Sequence, residues 1–280
     1  MHWMTTRFDI DLGTPRIMAI VNVTPDSFSD GGQFDTTASA IRHCEQVLKD
    51  GAHILDIGGE STRPGSPAVP LEAELARVLP VVREAVRLGV PVSVDTYKPE
   101  VMQAVLDVGA DIVNDIWALR RGQALDTVAG HPRCGVCLMH MHRDPQTMQV
   151  APMEGNVTTP VRNFLLERAG ALEARGVARA RVVLDPGIGF GKTVRQNFEL
   201  LAHQGVLTEL PYPWLVGWSR KSSLGAVTGR EEPPQRVVAS VAAAVLAVAR
   251  GARVVRVHDV RETADGLAVW QAMHTASVSG

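Results

Sequence analysis

Seven or eight short apolar runs along the chain end in polar or charged residues, and these end residues form one chemical set. They are Asn22, Asp56, Asp95, Asn114, Asp115, His140, Asp185, Ser219, Arg220, Lys221, Arg256 and His258. If the runs are parallel strands, their carboxyl ends meet on one face of the sheet, where such folds place their sites. The pattern therefore predicts where the chemistry lies.

The first group within this set could bind a flat ring. Asp95, Asn114 and Asp185 offer two carboxylates and an amide. These groups can hydrogen-bond a planar heterocycle that carries ring N–H and amino donors beside a carbonyl. Asp95 and Asn114 could instead cap the segments that follow them. The expected convergence of all three residues on one mouth favours the ring-binding interpretation.

The second group suits an anion. Arg256 and His258 end the last predicted strand, which lies beside the first strand if the sheet closes into a barrel. Two such donors predict a phosphate or diphosphate site, and Arg63 in the second loop could reach the same anion. The amide oxygen of Asn22 suits Mg²⁺ that takes its other ligands from diphosphate and water. A surface arginine and a core histidine are the alternatives.

Lys221 lies between the two groups. It follows the segment from Gly217 to Arg220, and its ammonium could bridge the carbonyl of the heterocycle and a second substrate. A solvated lysine is one alternative. A Schiff base is another, because barrel aldolases use a lysine at a strand end in that way.

Three motifs resemble functional sites, but each lacks a residue that such a site requires. Residues 187–193 read GIGFGKT, yet a Walker A loop requires glycine at position 186, which is Pro186. We expect a flexible βα loop whose glycines let a flat ligand approach the backbone. Cys134 and Cys137 have no second pair, so Cys137 is expected to pack inside the barrel. His140 and His142 lack a nearby third ligand, which argues against a metal site there.

The residues between the runs show helical patterns. These patterns cover residues 37–50, 71–88, 98–108, 159–175 and 237–249, and an eighth helix is expected near 262–273. The unit of strand, loop and helix recurs about every 30 residues, the length typical of a βαβ unit. We therefore predict an α/β fold, a (β/α)8 TIM barrel with parallel strands and right-handed crossovers. We expect a single domain over residues 1–280 with a core at about 15–275. Long loops at 24–36, 58–70 and 140–158 are predicted to be functional or mobile.

Composition excludes several functional classes. The chain has 28 basic and 30 acidic residues, interspersed, so no basic stripe indicates nucleic acid and no polybasic tail indicates a membrane surface. The longest apolar run, Val237–Ala249, is too short to cross a bilayer, which takes roughly 20 residues, and is predicted to be a buried helix with a side for a second subunit. Three cysteines and a polar N-terminal segment indicate a reducing cytoplasm.

Several segments of the sequence resemble the dihydropteroate synthase family of pterin-binding enzymes, the sulfonamide targets of the folate pathway. They are NVTPDSFSDGG at 22–32, DIGGESTRPG at 56–65, SVDT at 93–96, ND at 114–115, LMHM at 138–141, LDPGIGF at 184–190, SRK at 219–221 and RVHD at 256–259. They occur in the family's order, and the first two are individually specific.

The resemblance implies an activity and a set of site residues. It implies a homodimer that joins 6-hydroxymethyl-7,8-dihydropterin diphosphate to 4-aminobenzoate and releases diphosphate with the help of Mg²⁺. The implied pterin contacts are Asp95, Asn114, Met139, Asp185, Phe190, Gly217 and Lys221. The implied diphosphate contacts are Thr62, Arg63, Arg256 and His258, with Asn22 as metal ligand. The implied aminobenzoate contacts are Thr62, Pro64, Phe190, Lys221 and Ser222.

The residue types agree with an SN1-like substitution. Mg²⁺, Arg256 and His258 would take up the charge of the leaving diphosphate, while Asp95 and Asp185 favour positive charge in the pterin ring. The arylamine is already unprotonated near neutral pH, so no strong general base is required. We expect Lys221, Asp95, Asp185, Arg256 and His258 to be the catalytic residues. Asp56, Asp115 and His140 are expected to be structural rather than catalytic.

The sequence also departs from the family pattern and leaves further functions open. Trp218 stands where a small residue is common, and we expect it to reshape the floor near the pterin; Ala19 replaces a common glycine. A pterin-dependent methyltransferase barrel would share the ring-binding residues but would not need Arg256 and His258. A Schiff-base aldolase using Lys221 and a non-catalytic pterin-binding module are also compatible with parts of the pattern.

Overall fold

The computed structural model describes residues 1–24, 33–61 and 65–278, without the side chains at 33–35, 277 and 278. Thr62, Arg63 and Pro64 of the predicted site lie outside these residues, as does most of the loop at 24–36. The described strands are β1 (His2–Met4), β2 (Asp9–Asp11), β3 (Arg16–Asn22), β4 (Ile54–Gly58), β5 (Val92–Asp95), β6 (Ile112–Asp115), β7 (Gly135–Met139), β8 (Val182–Asp185), β9 (Leu215–Val216) and β10 (Val254–Val257).

A helix follows each of the eight barrel strands. They are α1 (Gln33–Lys49), α2 (Leu71–Ala85), α3 (Pro99–Asp107), α4 (Ala124–Gly130), α5 (Thr158–Glu173), α6 (Val194–Ala202), α7 (Gln204–Thr208), α8 (Ser222–Thr228), α9 (Val237–Ala249) and α10 (Val260–Val278). Helix α9 has the bounds expected from its apolar run. Within the described residues, no helix is both long enough and apolar enough to span a membrane.

Eight parallel strands form the barrel. Their order is β8-β7-β6-β5-β4-β3-β10-β9, and neighbouring strands in this order pair in parallel. Leu184 in β8 bridges to Trp214 just before β9, and its N–H donates to Pro213 O at 3.0 Å, which closes the ring. The predicted (β/α)8 barrel, with the last strand beside the first, is confirmed.

The barrel strands are buried on both faces. Outward-facing residues such as Val21, Leu55 and Val94 pack under the helices in the main core. Inward-facing residues fill the barrel, as at Met18 and Ile54. Strands covered on both sides read as continuous apolar runs, which is why polar residues stand out at their ends.

A short N-terminal hairpin closes the lower end of the barrel. Strands β1 and β2 pair antiparallel, with Trp3 opposite Ile10. Trp3 and Leu12 are fully buried against the first residues of the barrel strands, and the Trp3 indole N–H donates to Arg181 O at 3.0 Å. The core was expected to begin near residue 15, but Trp3 and Leu12 of the hairpin region are also buried in it. The hairpin leaves the opposite, carboxyl end of the barrel as the open mouth.

Candidate active site

The carboxyl ends of the strands bring most of the predicted site residues to one mouth. Asn22, Asp95, Met139 and Asp185 are the last residues of their strands, and Asn114 is next to last in β6. Strand pairing aligns Asp95 with Asn114 and Met139 with Asp185. Closure of the barrel turns these side chains towards a common centre, as the sequence predicted.

Arg256, predicted to belong to the anion-binding group, also contacts the ring-binding group. Its Nε donates to Asp56 Oδ2 at 2.6 Å, and its Nη2 donates to Asp95 Oδ2 at 2.7 Å. Asn114 Nδ2 donates to the same Asp56 oxygen at 3.2 Å. Arg256 lies two residues before His258, hence one layer deeper in the barrel, where it meets the buried carboxylates. Asp56, expected to be structural, holds two of the predicted site residues in place.

Burial and charge shift the acid–base properties of this network. Burial raises the pKa of the Asp95 carboxyl, although the Arg256 guanidinium opposes the rise. Burial also acts to lower the pKa of Arg256, but the carboxylates of Asp56 and Asp95 outweigh it, and the net shift is upward. Arg256 therefore stays charged, and the mouth favours a ligand that brings donors or positive charge to the carboxyls.

Asp185 anchors the loop that follows β8. Its Oδ1 accepts the N–H of Gly187 at 2.7 Å. Burial raises the pKa of Asp185 to about 6, while the Gly187 N–H and the charge of Lys221 act in the opposite direction. Gly187 has a φ of +68°, and a Cβ there would overlap the carbonyl oxygen of His140. Glycine is therefore required at this position.

Lys192 ties the same loop to the end of β7. It is 2% exposed, and its ammonium donates to Gly187 O at 2.9 Å and to Phe190 O at 3.1 Å. Its Nζ also lies 3.0 Å from Nδ1 of His140. The stretch that resembles a Walker A loop is a βα loop, as expected, and its lysine holds it against the end of β7. A buried ammonium must satisfy its donors within the protein, and neutral groups do so here, including the carbonyl of His140 at 3.5 Å.

Lys221 and Phe190 form one wall of the mouth. Lys221 Nζ lies 4.3 Å from the centroid of the Phe190 ring, a cation–π contact. Gly189 has a φ of +84°, and a Cβ there would lie 3.2 Å from Lys221 Cδ. Phe190 packs in a small apolar cluster with Met139, its predicted neighbour in the pterin site. Glycine at 189 lets the lysine pass close to the loop backbone.

Open space lies beside Gly217. A Cβ built on this residue meets no described atom within 4 Å, and Gly217 is absent from the residues with positive φ. Ser222 is exposed at the first position of α8, directly after Lys221. A separate cavity of about 270 Å³ opens on the rim, lined in part by Tyr97, Trp117 and Arg121. Leu215 packs inside the barrel, so the alternation of the strand directs Gly217 to the inside as well.

The segment Ser219–Lys221 is held against the end of β10. Ser219 Oγ accepts the backbone N–H of His258 at 3.1 Å. Arg220 donates to both carboxylate oxygens of Asp259, at 3.1 Å and 2.5 Å. Neither Ser219 nor Arg220 had a role in the predicted site. Their position between the end of β9 and Lys221 is the one sequence feature that could have drawn attention to them. Spacing along the chain does not reveal their partners, which lie after β10.

Other residues at strand ends have structural roles, as expected. Asp115 accepts the N–H groups of Trp117 at 2.8 Å and Leu119 at 2.7 Å, which shapes the loop after β6. Cys44, Cys134 and Cys137 are free and buried, and Cys137 packs inside the barrel as predicted.

Trp218 does not have the position near the pterin that was expected from the sequence. It is 1% exposed and packs on Phe198 of α6, with ring centroids 5.3 Å apart. Residues alternate in direction at the end of β9, so Gly217 faces the mouth and Trp218 faces the helices. Trp218 therefore does not form the floor of the ring site.

Similarity to known proteins extends over nearly the whole chain. The model of the family described as pterin binding enzyme matches residues 18–258. The dihydropteroate synthase of Neisseria meningitidis serogroup B is 48% identical over 276 residues, which cover 97% of each chain.

Solved structures give the same result. The Burkholderia cenocepacia dihydropteroate synthase, complexed with 7,8-dihydropteroate, superposes with a TM-score of 0.92 at 49% identity and covers 100% of this chain and 98% of that one. The Xanthomonas albilineans dihydropteroate synthase, solved with 4-aminobenzoic acid, gives a TM-score of 0.89 at 51% identity, with 95% of each chain covered.

Proposed function

The chain belongs to the pterin-binding enzyme family, and from that premise we propose that it is a transferase with dihydropteroate synthase activity. It joins 6-hydroxymethyl-7,8-dihydropterin diphosphate to 4-aminobenzoate, giving 7,8-dihydropteroate and diphosphate for tetrahydrofolate biosynthesis. The observation that carries the proposal is the convergence of Asp95, Asn114, Asp185 and Arg256 on one open mouth beside Lys221.

The pterin ring lies among the buried polar groups of the mouth. Asp95, Asn114 and Asp185, each at most 8% exposed, provide the hydrogen-bond acceptors and the amide that a pterin edge requires. Lys221 donates to the ring carbonyl, and the space above Gly217 admits the flat ring. Met139 and Phe190 provide apolar contact on its faces. A buried site of this kind rejects rings that leave these groups unpaired.

The diphosphate lies towards Arg256 and His258. Arg256 donates from Nε and Nη2 to carboxylates. Within the described residues its Nη1 has no hydrogen-bond partner, so this nitrogen can donate to an anion. Thr62 and Arg63, outside the described residues, are proposed to complete the anion site. Because Arg256 touches Asp95, the ring and the anion occupy adjoining subsites that share one guanidinium.

Mg²⁺ is proposed as the cofactor, with Asn22 as its protein ligand. The described residues contain no group of three or more His, Cys, Asp or Glu side chains placed to hold a metal. A metal that takes its ligands from diphosphate and water needs no such cage, and Asn22 ends the strand next to that of Arg256. When bound, the metal neutralises charge on the leaving diphosphate. The donor set therefore fits Mg²⁺ delivered with the substrate.

The 4-aminobenzoate is proposed to lie outside the pterin, near Phe190, Lys221 and Ser222. Lys221 and Phe190 already form one wall, and Ser222 begins the next helix. Thr62 and Pro64 are proposed to cover the ring. Sulfonamides resemble 4-aminobenzoate and would compete for this subsite.

The carboxylates support an SN1-like substitution. Asp95 and Asp185 sit in buried positions where a positive charge that develops on the pterin is favoured. Pterin diphosphate and Mg²⁺ without 4-aminobenzoate test this step. We expect slow release of diphosphate by the wild type and at least about tenfold slower release by Asp95→Ala and Asp185→Ala. Release by these variants at the wild-type rate would refute the role of the carboxylates.

A cytoplasmic homodimer is proposed as the working form. Free, buried cysteines support a reducing compartment. Exposed apolar side chains on α7–α10 support a second subunit there; they are Val206, Val227, Val238, Leu246, Val269 and Met273.

The activity itself is tested with purified protein. Pterin diphosphate, 4-aminobenzoate and Mg²⁺ together should yield 7,8-dihydropteroate and an equal amount of diphosphate, measured by liquid chromatography. Borohydride added with a carbonyl substrate should not label Lys221, which separates this reaction from that of a Schiff-base aldolase. Absence of dihydropteroate with all three components present would overturn the proposal.

A further inference from the structure

Ser219 touches His258 at two points. The backbone N–H of His258 donates to Ser219 Oγ at 3.1 Å, and the same oxygen lies 3.0 Å from His258 Nδ1. Ser219 is 6% exposed, so its hydroxyl has little access to water. The serine thus contacts both the main chain and the ring of a residue in the proposed anion site.

The single proton of the hydroxyl decides the direction of the second contact. If Nδ1 carried a proton and donated it, Ser219 Oγ would accept twice and its own proton would need another acceptor. Within the described part of the chain, Ser219 Oγ has no further hydrogen-bond partner. The arrangement that gives the hydroxyl proton an acceptor at this contact has the hydroxyl donating to Nδ1, which must then be unprotonated.

The next residue on each side fixes this geometry. Arg220 follows Ser219 and donates hydrogen bonds to both carboxylate oxygens of Asp259, which follows His258. Arg220 has a φ of +58°, a conformation that is rare for arginine, and its N–H donates to Ser240 Oγ at 2.8 Å. Such backbone conformations persist only where the surroundings enforce them. The loop is therefore built to keep Ser219 against the imidazole.

We propose that Ser219 is a positioning residue that holds the neutral His258 imidazole in the tautomer with its proton on Nε2, so that this nitrogen donates to the diphosphate. Diphosphate oxygens are acceptors, and an unprotonated Nε2 would meet them lone pair to lone pair. The tautomer therefore determines whether His258 attracts or repels the anion. The role towards diphosphate rests on the proposed function; the tautomer does not.

Nitrogen NMR of histidine-labelled protein tests the tautomer directly. Spectra are recorded above the ordinary histidine pKa of about 6.5, and a His258→Gln variant identifies the signals among the nine histidines. We expect Nε2 protonated and Nδ1 unprotonated in the wild type, and a mixture of both tautomers in Ser219→Ala. Wild-type protein with a protonated Nδ1 would overturn the proposal, whether or not the variant folds.

Ser240→Ala is the matched control. Ser240 is a buried serine that binds the same loop through the Arg220 N–H but does not contact the His258 ring. Its loss should leave the tautomer of His258 unchanged. If Ser240→Ala and Ser219→Ala redistribute the tautomer equally, general loosening of the loop explains the effect and the proposal fails.

Inorganic diphosphate is the probe for the functional arm. We expect Ser219→Ala to bind it roughly 3- to 10-fold more weakly, the worth of one hydrogen bond, with the KM for 4-aminobenzoate unchanged and with recovery in Ser219→Thr. Unchanged binding in Ser219→Ala would contradict the proposal. If Ser219→Ala changes the tautomer of His258 but the wild type does not bind diphosphate, the positioning role of Ser219 is supported and the proposed function is contradicted.

Discussion

At the scale of single residues, Arg256 is the main difference between the sequence prediction and the structure. The spacing of Arg256 and His258 predicts that both face the barrel interior, because alternate residues of a strand share a face. Spacing does not show how deep in the barrel each of these side chains lies. The structure places the guanidinium between Asp56 and Asp95, for which the sequence predicted different roles.

Asp185 should make stability depend on pH. Burial raises its pKa to about 6 from an ordinary 3.8, so the folded protein holds this proton more tightly than the unfolded chain does. The stability contributed by the proton is complete below the unfolded pKa and is lost as the pH rises through the folded one. Relative to Asp185→Asn, the wild type should therefore lose stability between pH about 4 and about 6. Urea unfolding at several pH values measures the difference, and a flat or rising difference would contradict it.

At the scale of elements, the end of β9 should control access of the ring. Gly217→Leu places a side chain in the open space of the mouth without backbone strain. We expect pterin diphosphate to bind at least about tenfold more weakly, with the free energy of unfolding changed by less than about 1 kcal/mol. Calorimetry measures the binding. Gly170→Leu, at a glycine of α5 with equally open surroundings, is the control and should bind normally.

The loop after β8 should depend on Lys192. Lys192→Met removes the hydrogen bonds that the ammonium donates to the Gly187 and Phe190 carbonyls and its contact with the His140 ring, so the free energy of unfolding should fall by roughly 2 to 4 kcal/mol. Lys49→Met makes the same change on the exposed end of α1 and should have little effect. Equal stability of the two variants in urea unfolding would show that the buried contacts contribute nothing.

Long, periodic elements were predictable and short ones were not. The apolar run of α9 predicted its bounds, and strand-end polarity predicted the barrel and its mouth. The hairpin of β1 and β2 has three residues in each strand, too few for a periodic signal, and its stability comes from burying Trp3 under the barrel. Helix α8 has seven residues and was missed for the same reason.

At the scale of the whole molecule, the mouth of the barrel could be predicted from the sequence, but the contacts between its residues could not. The strand-end pattern placed Asp95, Asn114 and Asp185 at the mouth because parallel topology brings the carboxyl ends of the strands together. The contacts of Ser219 with His258 and of Lys192 with His140 join distant strands and loops. Such pairs depend on loop conformation, which no local pattern encodes.

The oligomer is predicted at the same scale. Val238→Glu on α9 places a charge on the apolar surface proposed for the second subunit, so it should shift the protein towards a monomer near 30 kDa. Val150→Glu, at a valine of matching exposure (84% against 83%) outside that surface, should not. Sedimentation at low concentration distinguishes them. A wild type that sediments as a monomer would contradict the dimer.

A crystal structure of the protein with pterin diphosphate and Mg²⁺ tests the central claim most directly. We expect the ring edge within hydrogen-bond distance of Asp95, Asn114 and Asp185, above Gly217, with the diphosphate at Arg256 and His258. A ring bound elsewhere, as in the rim cavity beside Tyr97 and Trp117, with those polar groups still unliganded, would contradict it.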